Sequence, residues 1–428
     1  MQRILIKNLS NQVNSQVSIK GWVYKIRKLS KVSFLIIRDR TGLVQCVLDS
    51  SIKLNHVKLE SVVEIVGNVV ESKNKISNIE IQVSSLNIIS KVEDELPLEV
   101  NKEDVNANLD TLLDHRVLSL RQQKINSIFK IQGVIAQGFR EFLLNEDFTE
   151  IFTPKIVSEG AEGGTAIFKV KYFEREAFLA QSPQFYKQMM VGAGYERVFE
   201  IAHVYRAEEH NTSRHLNEYI SMDLEMGFIE NERDVMDIET NILKHILYKL
   251  KNECGKLLEF LEIQLPQISE KIPSITFSEA INLLKTEYGK ECNEGDLDPE
   301  GEKLICKYAE EKMGSEFLFI TDYPRKKRPM YTMPKGEKFT YSFDLLFRGL
   351  EITTGGQRIH DYSMLAENMI YKGLNPENFT TYMEVFKYGM PPHGGLAIGL
   401  ERLTSQILGL KNVREASLFP RDRTRLLP

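Results

Sequence analysis

Tyr205-Arg206-Ala207-Glu208-Glu209-His210-Asn211-Thr212-Ser213-Arg214-His215-Leu216-Asn217-Glu218-Tyr219-Ile220-Ser221-Met222-Asp223-Leu224-Glu225-Met226 ends on an alternating segment, and a second one runs up to Tyr205. A polar loop with an Arg-His pair lies between them. Period-two alternation predicts two strands of a β-hairpin. Such a hairpin presents Arg206, Glu208, Asp223 and Glu225 on one face, where the charges need partners or ligands. A solvated hairpin with surface salt bridges fits the same pattern equally well.

Near the C-terminus, His393-Gly394-Gly395-Leu396-Ala397-Ile398-Gly399-Leu400-Glu401-Arg402-Leu403 reads as a glycine-rich apolar strand entering a helix near Leu400. Arg402 then sits by the helix N-terminus, where backbone N–H groups favour anions. Between these stretches and around them, strands and helices mix without a regular βαβ rhythm. That predicts an α+β domain on an antiparallel sheet. No G-x-G-x-x-G follows an early strand, and no GxxxxGK[ST] occurs.

Upstream, Ile128, Ile131, Val134, Ile135, Phe139, Phe142 and Leu143 fall at helical spacing. Phe148-Thr149-Glu150-Ile151-Phe152-Thr153-Pro154 reads as a strand stopped by proline. Residues 17–92 hold five short runs rich in Val, Ile and aromatics, with Arg40-Thr41-Gly42 at hairpin distance. Five strands in so short a span predict a closed β-barrel of the OB type. The predicted organisation is a barrel over 1–95, a charged linker over 96–125 and an α+β domain over 126–428.

The 428 residues exceed one ordinary core, and 42% apolar with 27% charged residues is usual for folded protein. Four scattered cysteines, with no CxxC pair, argue against common zinc and disulfide frameworks and fit a reducing compartment. The polar start is no signal peptide, and no apolar run approaches the roughly 20 residues of a membrane span. The sequence therefore predicts a cytoplasmic protein with no membrane partner. A net charge of −5 argues against coating nucleic acid through bulk charge, yet basic stretches at Lys25–Lys28 and Pro324–Arg328 leave local RNA contacts open.

Together, the hairpin and the glycine-rich strand resemble motifs 2 and 3 of class II aminoacyl-tRNA synthetases. The Ile128–Leu143 helix and the run to Pro154 resemble motif 1. Gln181-Ser182-Pro183-Gln184-Phe185-Tyr186-Lys187-Gln188, Glu351-Ile352-Thr353-Thr354-Gly355-Gly356-Gln357-Arg358-Ile359-His360-Asp361 and Leu418-Phe419-Pro420-Arg421-Asp422 narrow the resemblance to aspartyl enzymes of subclass IIb, archaeal and eukaryotic type. It spans nearly the whole chain, barrel included.

The resemblance implies a homodimer that activates L-aspartate with ATP and Mg2+ and loads it on tRNA(Asp). It leaves tRNA(Asn) open as a second acceptor. Arg206, Arg402 and Glu351 are the implied catalytic residues. Arg206 would bridge the α-phosphate and the amino acid's carboxylate, and Arg402 would hold the far phosphates and cover adenine. A guanidinium does both, since it is a planar fork. The remaining implied ATP contacts are Ala207, Glu208, Arg214, His215, Leu216, Tyr219, Gly399, Leu400 and Glu401. Glu351, Thr354 and Asp344 are the implied metal contacts; relatives often have Ser at the Thr354 position.

For aspartate, the resemblance places Lys187 and Arg358 against the side-chain carboxylate. Ser182, Gln184, Asp223 and Glu162 are assigned to the ammonium, with Arg206 and Thr354 alongside. Two cations facing a neutral amide would be left uncompensated, which is how such a site rejects asparagine. Glu159-Gly160-Ala161-Glu162-Gly163-Gly164-Thr165 resembles the loop that closes over aspartate. In the barrel, Phe34 and Gln45 match anticodon-reading positions, with Arg27, Lys28 and Arg38 as phosphate candidates. Read without the family, Phe34 belongs in the barrel core. Ala397 stands where relatives usually have glycine. The rival readings are an asparagine synthetase-like paralogue, which would lack the barrel, and a non-catalytic RNA-binding protein, which would be expected to lose Arg206, Glu351 or Arg402.

Overall fold

The computed structural model describes residues 1–102, 104–160, 166–209, 212–292 and 297–427. It divides into two compact units, residues 1–108 and 109–428.

The first unit is a closed five-stranded barrel. Its strands are β1 (Gln16–Lys28), β2 (Val32–Asp39), β3 (Gly42–Asp49), β4 (Val62–Glu71) and β5 (Ile79–Ser90), in the order β1-β2-β3-β5-β4 with β4 closing onto β1. Alternation decides the interior: Val17, Ile19, Leu35, Ile37, Val44, Cys46, Leu48, Val63, Ile65 and Ile81 fill it. The β2–β3 turn is fixed by Asp39, whose carboxylate accepts from Thr41 N at 2.7 Å and Ile6 N at 2.9 Å.

The 96–125 stretch divides between the units. Leu98 and Val100 are buried, and Asn101 donates to Tyr24 O at 2.7 Å and Glu60 at 2.8 Å within the barrel unit. From Leu109 the chain is helical (Leu109–Asp114, Arg116–Ser119). Arg116 there is buried and donates to the carbonyls of Leu418 and Ser417.

The second unit is built on an eight-stranded sheet. Its strands are β6 (Thr149–Glu150), β7 (Arg197–Tyr205), β8 (Glu218–Gly227), β9 (Ser274–Thr276), β10 (Phe317–Thr321), β11 (Ser342–Phe347), β12 (Leu350–Arg358) and β13 (His393–Gly399). The spatial order is β9-β10-β11-β12-β13-β8-β7-β6. The interior pairs are antiparallel, while β6 runs parallel to β7 and β9 parallel to β10. The sheet is thus antiparallel at its centre and mixed at its edges.

Helices α1 (Gln123–Asn145), α3 (Glu232–Phe260) and α6 (Leu400–Leu408) cover one face, α2 (Gln184–Met190) lies on the other, and α4 (Phe277–Tyr288) and α5 (Pro299–Tyr308) pack by the β9–β10 edge. Ile131, Ile135 and Phe139 of α1 meet Ile242, Leu243 and Ile246 of α3 over Phe199, Met222, Leu224, Phe343 and Leu396. On β8, Met222, Leu224 and Met226 enter this core, so Ser221, Asp223 and Glu225 project to the opposite face. That face carries the site.

The run to Pro154 pairs as a strand only at Thr149–Glu150. Beyond it, Glu200 replaces the ladder: its carboxylate accepts from Thr153 N at 2.9 Å, Thr153 Oγ1 at 2.7 Å and Lys155 Nζ at 2.8 Å. Among the described residues, no helix is long and apolar enough to cross a membrane.

Candidate active site

The hairpin β7–β8 pairs Arg197 with Met226 through to Tyr205 with Glu218, as the alternation predicts. Beside it, register aligns one residue from each of four strands: Asp223 on β8, Ala397 on β13, Thr354 on β12 and Asp344 on β11. Cross-strand partners share a face. Asp223, Ala397 and Thr354 of this row floor a cavity of about 310 Å³, walled by the β7–β8 loop, α2 and the start of α6.

Arg206, Glu208, Arg214, His215, Leu216 and Tyr219 line this cavity from the hairpin and its loop. Gly399, Glu401 and Arg402 line it from the β13–α6 junction, and Ser182, Gln184 and Lys187 from α2 and the residues preceding it. Glu351, Thr354 and Arg358 come from β12, and Asp223 from β8. Gln184 and Lys187 share a helix face because they are three residues apart.

The electrostatics are dense. Lys187 Nζ lies 2.9 Å from Asp223 and 3.4 Å from Glu225, and donates to Leu396 O at 3.1 Å. Arg358 donates through Nε to Glu225 at 3.0 Å and through Nη2 to Gly395 O at 2.9 Å. Burial pushes the Glu225 carboxyl up, but the Arg358 guanidinium and the Lys187 ammonium outweigh it and hold the group below its ordinary value. Behind this cluster, His393 Nε2 lies 2.8 Å from Gln188 Nε2, and Tyr382 donates to Gln188 at 2.9 Å. Burial lowers His393 to about 4, so its ring is neutral. Any side chain at Gly395 would collide with the Glu225 carboxylate and Leu224 O, so glycine is what lets the arginine–glutamate pair sit against β13.

On the other side, Arg402 Nη1 donates to Glu351 O at 3.1 Å and sits 3.7 Å from its carboxylate. Thr354 Oγ1 donates to Glu351 Oε1 at 3.0 Å. The Arg206 guanidinium lies 5.9 Å from the Tyr219 ring centroid and 3.9 Å from Glu208. His215 Nδ1 is 2.6 Å from Thr212 Oγ1. Glu401 accepts from Ile220 N at 3.1 Å, and burial raises its carboxyl to about 7. Gln184 Nε2 is buried with no hydrogen-bond partner among the described residues, a donor left over inside the cavity.

Three candidates do not join the lining. Leu400 turns into the apolar core, because α6 packs its hydrophobic stripe against α1. Ala207 contributes its backbone N–H to Ala166 O at 3.0 Å. Asp344 sits in the cross-sheet row but is covered by Arg328, 2.8 Å away, and burial raises its carboxyl to about 6. Glu162 lies outside the described residues. Ala397 puts its methyl on the cavity side of β13 rather than on the opposite face.

In the barrel, Phe34 is half-buried on the outer face, opposite Arg27 on β1 and Val47 on β3, while its neighbours Leu35 and Ile37 fill the interior. It is not a core residue. Gln45 pairs with Ile36 on the same face and donates to Glu80 at 2.9 Å. Arg27 and Lys28 are exposed. Arg38 is buried and ion-paired to Glu60 at 2.6 Å, so it is not available to a phosphate.

Sequence reasoning missed Arg328, Tyr331, Thr332 and Ser342, which also line the cavity. Arg328 lay within the basic run 324–328, the one signal that pointed toward it. It missed Glu302 as well, since nothing local marks that residue.

Comparison with known proteins agrees with this architecture. The family described as tRNA synthetases class II (D, K and N) matches residues 108–423, and the OB-fold nucleic acid binding domain matches residues 17–89. The chain is 49% identical to an aspartate–tRNA(Asp/Asn) ligase of Thermus thermophilus, covering all of both chains. It is 43% identical to an aspartate–tRNA(Asp) ligase of Pyrococcus furiosus, over 99% of this chain and 100% of the relative. Among solved structures, it resembles asparaginyl-tRNA synthetase from Pyrococcus horikoshii with a TM-score of 0.93 at 29% identity, covering 100% of each chain. Aspartyl-tRNA synthetase from Entamoeba histolytica gives 0.87 at 30%, covering 100% of this chain and 93% of that one. An N-terminal OB barrel, a catalytic unit on a mainly antiparallel sheet, and full-length relatives named as aspartate–tRNA ligases lead to one conclusion: the chain belongs to the class II tRNA synthetases of the D, K and N group.

Proposed function

We propose that the protein is an aspartate–tRNA ligase acting in the cytoplasm. An α-carboxylate oxygen of L-aspartate attacks the α-phosphorus of ATP, the α–β phosphoanhydride bond breaks and pyrophosphate leaves. A hydroxyl of the tRNA 3′-terminal ribose then attacks the aspartyl carbonyl, and AMP leaves. The observation that carries this reading is the convergence of Arg206, Arg402, Glu351, Lys187 and Arg358 on one cavity.

Two anions must meet in the first step, so cations and geometry serve better than a protein nucleophile. Arg206, in the cavity lining, would bridge the two reacting groups. Tyr219 and Arg402 would enclose the adenine, with Glu208 accepting from its amino group. Arg214, His215 and Arg402 would hold the outer phosphates. Lys187 and Arg358 would receive the substrate's side-chain carboxylate, and Asp223, Ser182 and Gln184 its ammonium. Ala207 and Leu400 would contribute backbone only.

The residues present fit a magnesium ion. Glu351 and Thr354 offer two hard oxygens 3.0 Å apart on the cavity side, and Mg2+ is commonly held by one or two carboxylates plus substrate phosphates. When bound, the ion neutralises phosphate charge. Asp344, paired with Arg328, would hold that guanidinium at the cavity instead of touching the ion. Among the described residues no group of three His, Cys, Asp or Glu side chains forms a metal cluster.

Phe34, Gln45 and Arg27 share one outer barrel face, which suits a stacked, splayed anticodon base. Relatives named for both tRNAs reach 48–49% identity to the chain, against 43–46% for those named for tRNA(Asp) alone, so tRNA(Asn) is proposed as a second acceptor. A homodimer through the Pro154 region is supported by Phe152, which is 85% exposed.

Arg206→Ala is expected to abolish aspartate-dependent ATP–pyrophosphate exchange, and near-normal exchange would overturn the assignment. Charging tRNA(Asp) and tRNA(Asn) side by side with labelled aspartate tests the acceptors. Ammonia-dependent asparagine formation without tRNA would replace this reading with the paralogue's.

A further inference from the structure

Glu302 lies outside every motif that marks the site, on α5, a helix between β9 and β10 of the sheet. Its helix begins with Asp298 accepting from Gly301 N at 2.7 Å, with Pro299 at the first helical position. That cap fixes the first turn, and Glu302 lies one turn on, 7% exposed. One oxygen, Oε2, accepts from the Glu351 backbone N–H at 3.2 Å and also from Arg214 Nη2. The same atom therefore ties the β7–β8 loop to the first residues of β12. Arg214 and Glu351 both line the cavity, one from each side.

From this geometry we infer that Glu302 is a positioning residue for nucleotide binding: it holds the Arg214 guanidinium and the Glu351 backbone in fixed relation before ATP arrives. The inference rests on the ligase reading above. An arginine has five donors, and Glu302 engages one nitrogen. Arg214 Nε is buried without a hydrogen-bond partner among the described residues. The fork thus keeps donors for a phosphate while its swing is restricted. A free arginine on a loop would lose rotamer freedom when it grips a phosphate, and a tethered one has lost it already. The carboxylate is a second anion near the phosphates, but its charge is already matched by Arg214.

Glu302 acts through Arg214 and the strand, not on the reacting atoms, so its loss falls on ATP binding. Glu302→Gln keeps the shape and an acceptor for the Glu351 N–H and removes the charge that holds Arg214. In ATP–pyrophosphate exchange with the full chain, Glu302→Gln is expected to raise KM for ATP about tenfold, with kcat and KM for aspartate within about twofold of wild type. Combined with Arg214→Ala, it should add nothing to the effect of Arg214→Ala alone. Glu302→Asp, which keeps the charge on a shorter arm, should fall between wild type and the glutamine variant, and serves as the readout if Glu302→Gln does not fold. An unchanged or lowered KM for ATP, a parallel rise in KM for aspartate, or effects that multiply with Arg214→Ala would overturn the inference. Wild-type protein lacking aspartate-dependent exchange would instead sink the ligase reading itself.

Discussion

Lys187 Nζ lies 2.9 Å from Asp223 Oδ1 with both side chains 2% exposed, so the ammonium is compensated before any substrate is present. Glu225 and Arg358 complete the group with two negative and two positive formal charges. An incoming aspartate adds its own ammonium and two carboxylates. With Arg206 of the same cavity taking the α-carboxylate, four cations would face four anions, whereas asparagine would leave a cation short of an anion.

Lys187→Met therefore does two things. It leaves Asp223 and Glu225 facing Arg358 alone, which is expected to cost roughly 3–5 kcal/mol of stability. It also removes half of the carboxylate recognition, and kcat/KM for aspartate should fall by about 10⁴. Thermal unfolding and pyrophosphate exchange at saturating ATP measure the two effects separately. A variant that melts with wild type and activates aspartate normally would take Lys187 out of the site.

The barrel makes a different prediction, because Phe34 and Gln45 belong to the first compact unit and the cavity to the second. Phe34→Ala removes a stacking surface worth roughly 1–3 kcal/mol per base, so KM for tRNA should rise by about 5- to 150-fold. Aspartate-dependent exchange without tRNA should stay at the wild-type rate. The pair of assays decides the matter: equal losses in both would show that Phe34 supports the fold instead of reading RNA.

Glu239 offers a pH test. It lies on α3, fully buried, with neither carboxylate oxygen hydrogen-bonded among the described residues. Burial raises its carboxyl to about 8, with Asp344 adding to the rise and Thr353 opposing it. A folded-state value above the unfolded one means that the protonated form is favoured by folding. That contribution is complete below the ordinary carboxyl value of 4.5 and is lost as pH rises through about 8. Glu239→Gln does not titrate, so it should gain on wild type by on the order of 1 kcal/mol per pH unit between those limits. Denaturant unfolding at pH 5, 6, 7 and 8 reads the difference, and a pH-independent gap would show that Glu239 is not held neutral.

Much of the molecule was legible because its signals are local. Period two in residues 17–92 follows from strand geometry and gave the barrel's five strands. The same period gave the β7–β8 hairpin with Asp223 and Glu225 on one face, and helical spacing gave α1. Phe34 shows the limit within a strand: alternation says that it opposes Leu35, and only closure of the barrel says which of the two is inside.

What the amino-acid order determined by itself is the set of elements and the chemistry each one brings, since backbone periodicity, caps and turns depend on near neighbours. Tertiary structure alone decided the partnerships. Arg38 is spent on Glu60, Asp344 lies beneath Arg328, Leu400 turns to the core, and Glu302 reaches Arg214 across 88 positions. No local pattern encodes such pairs, because a buried charge takes whichever opposite charge the packing of distant elements delivers to it.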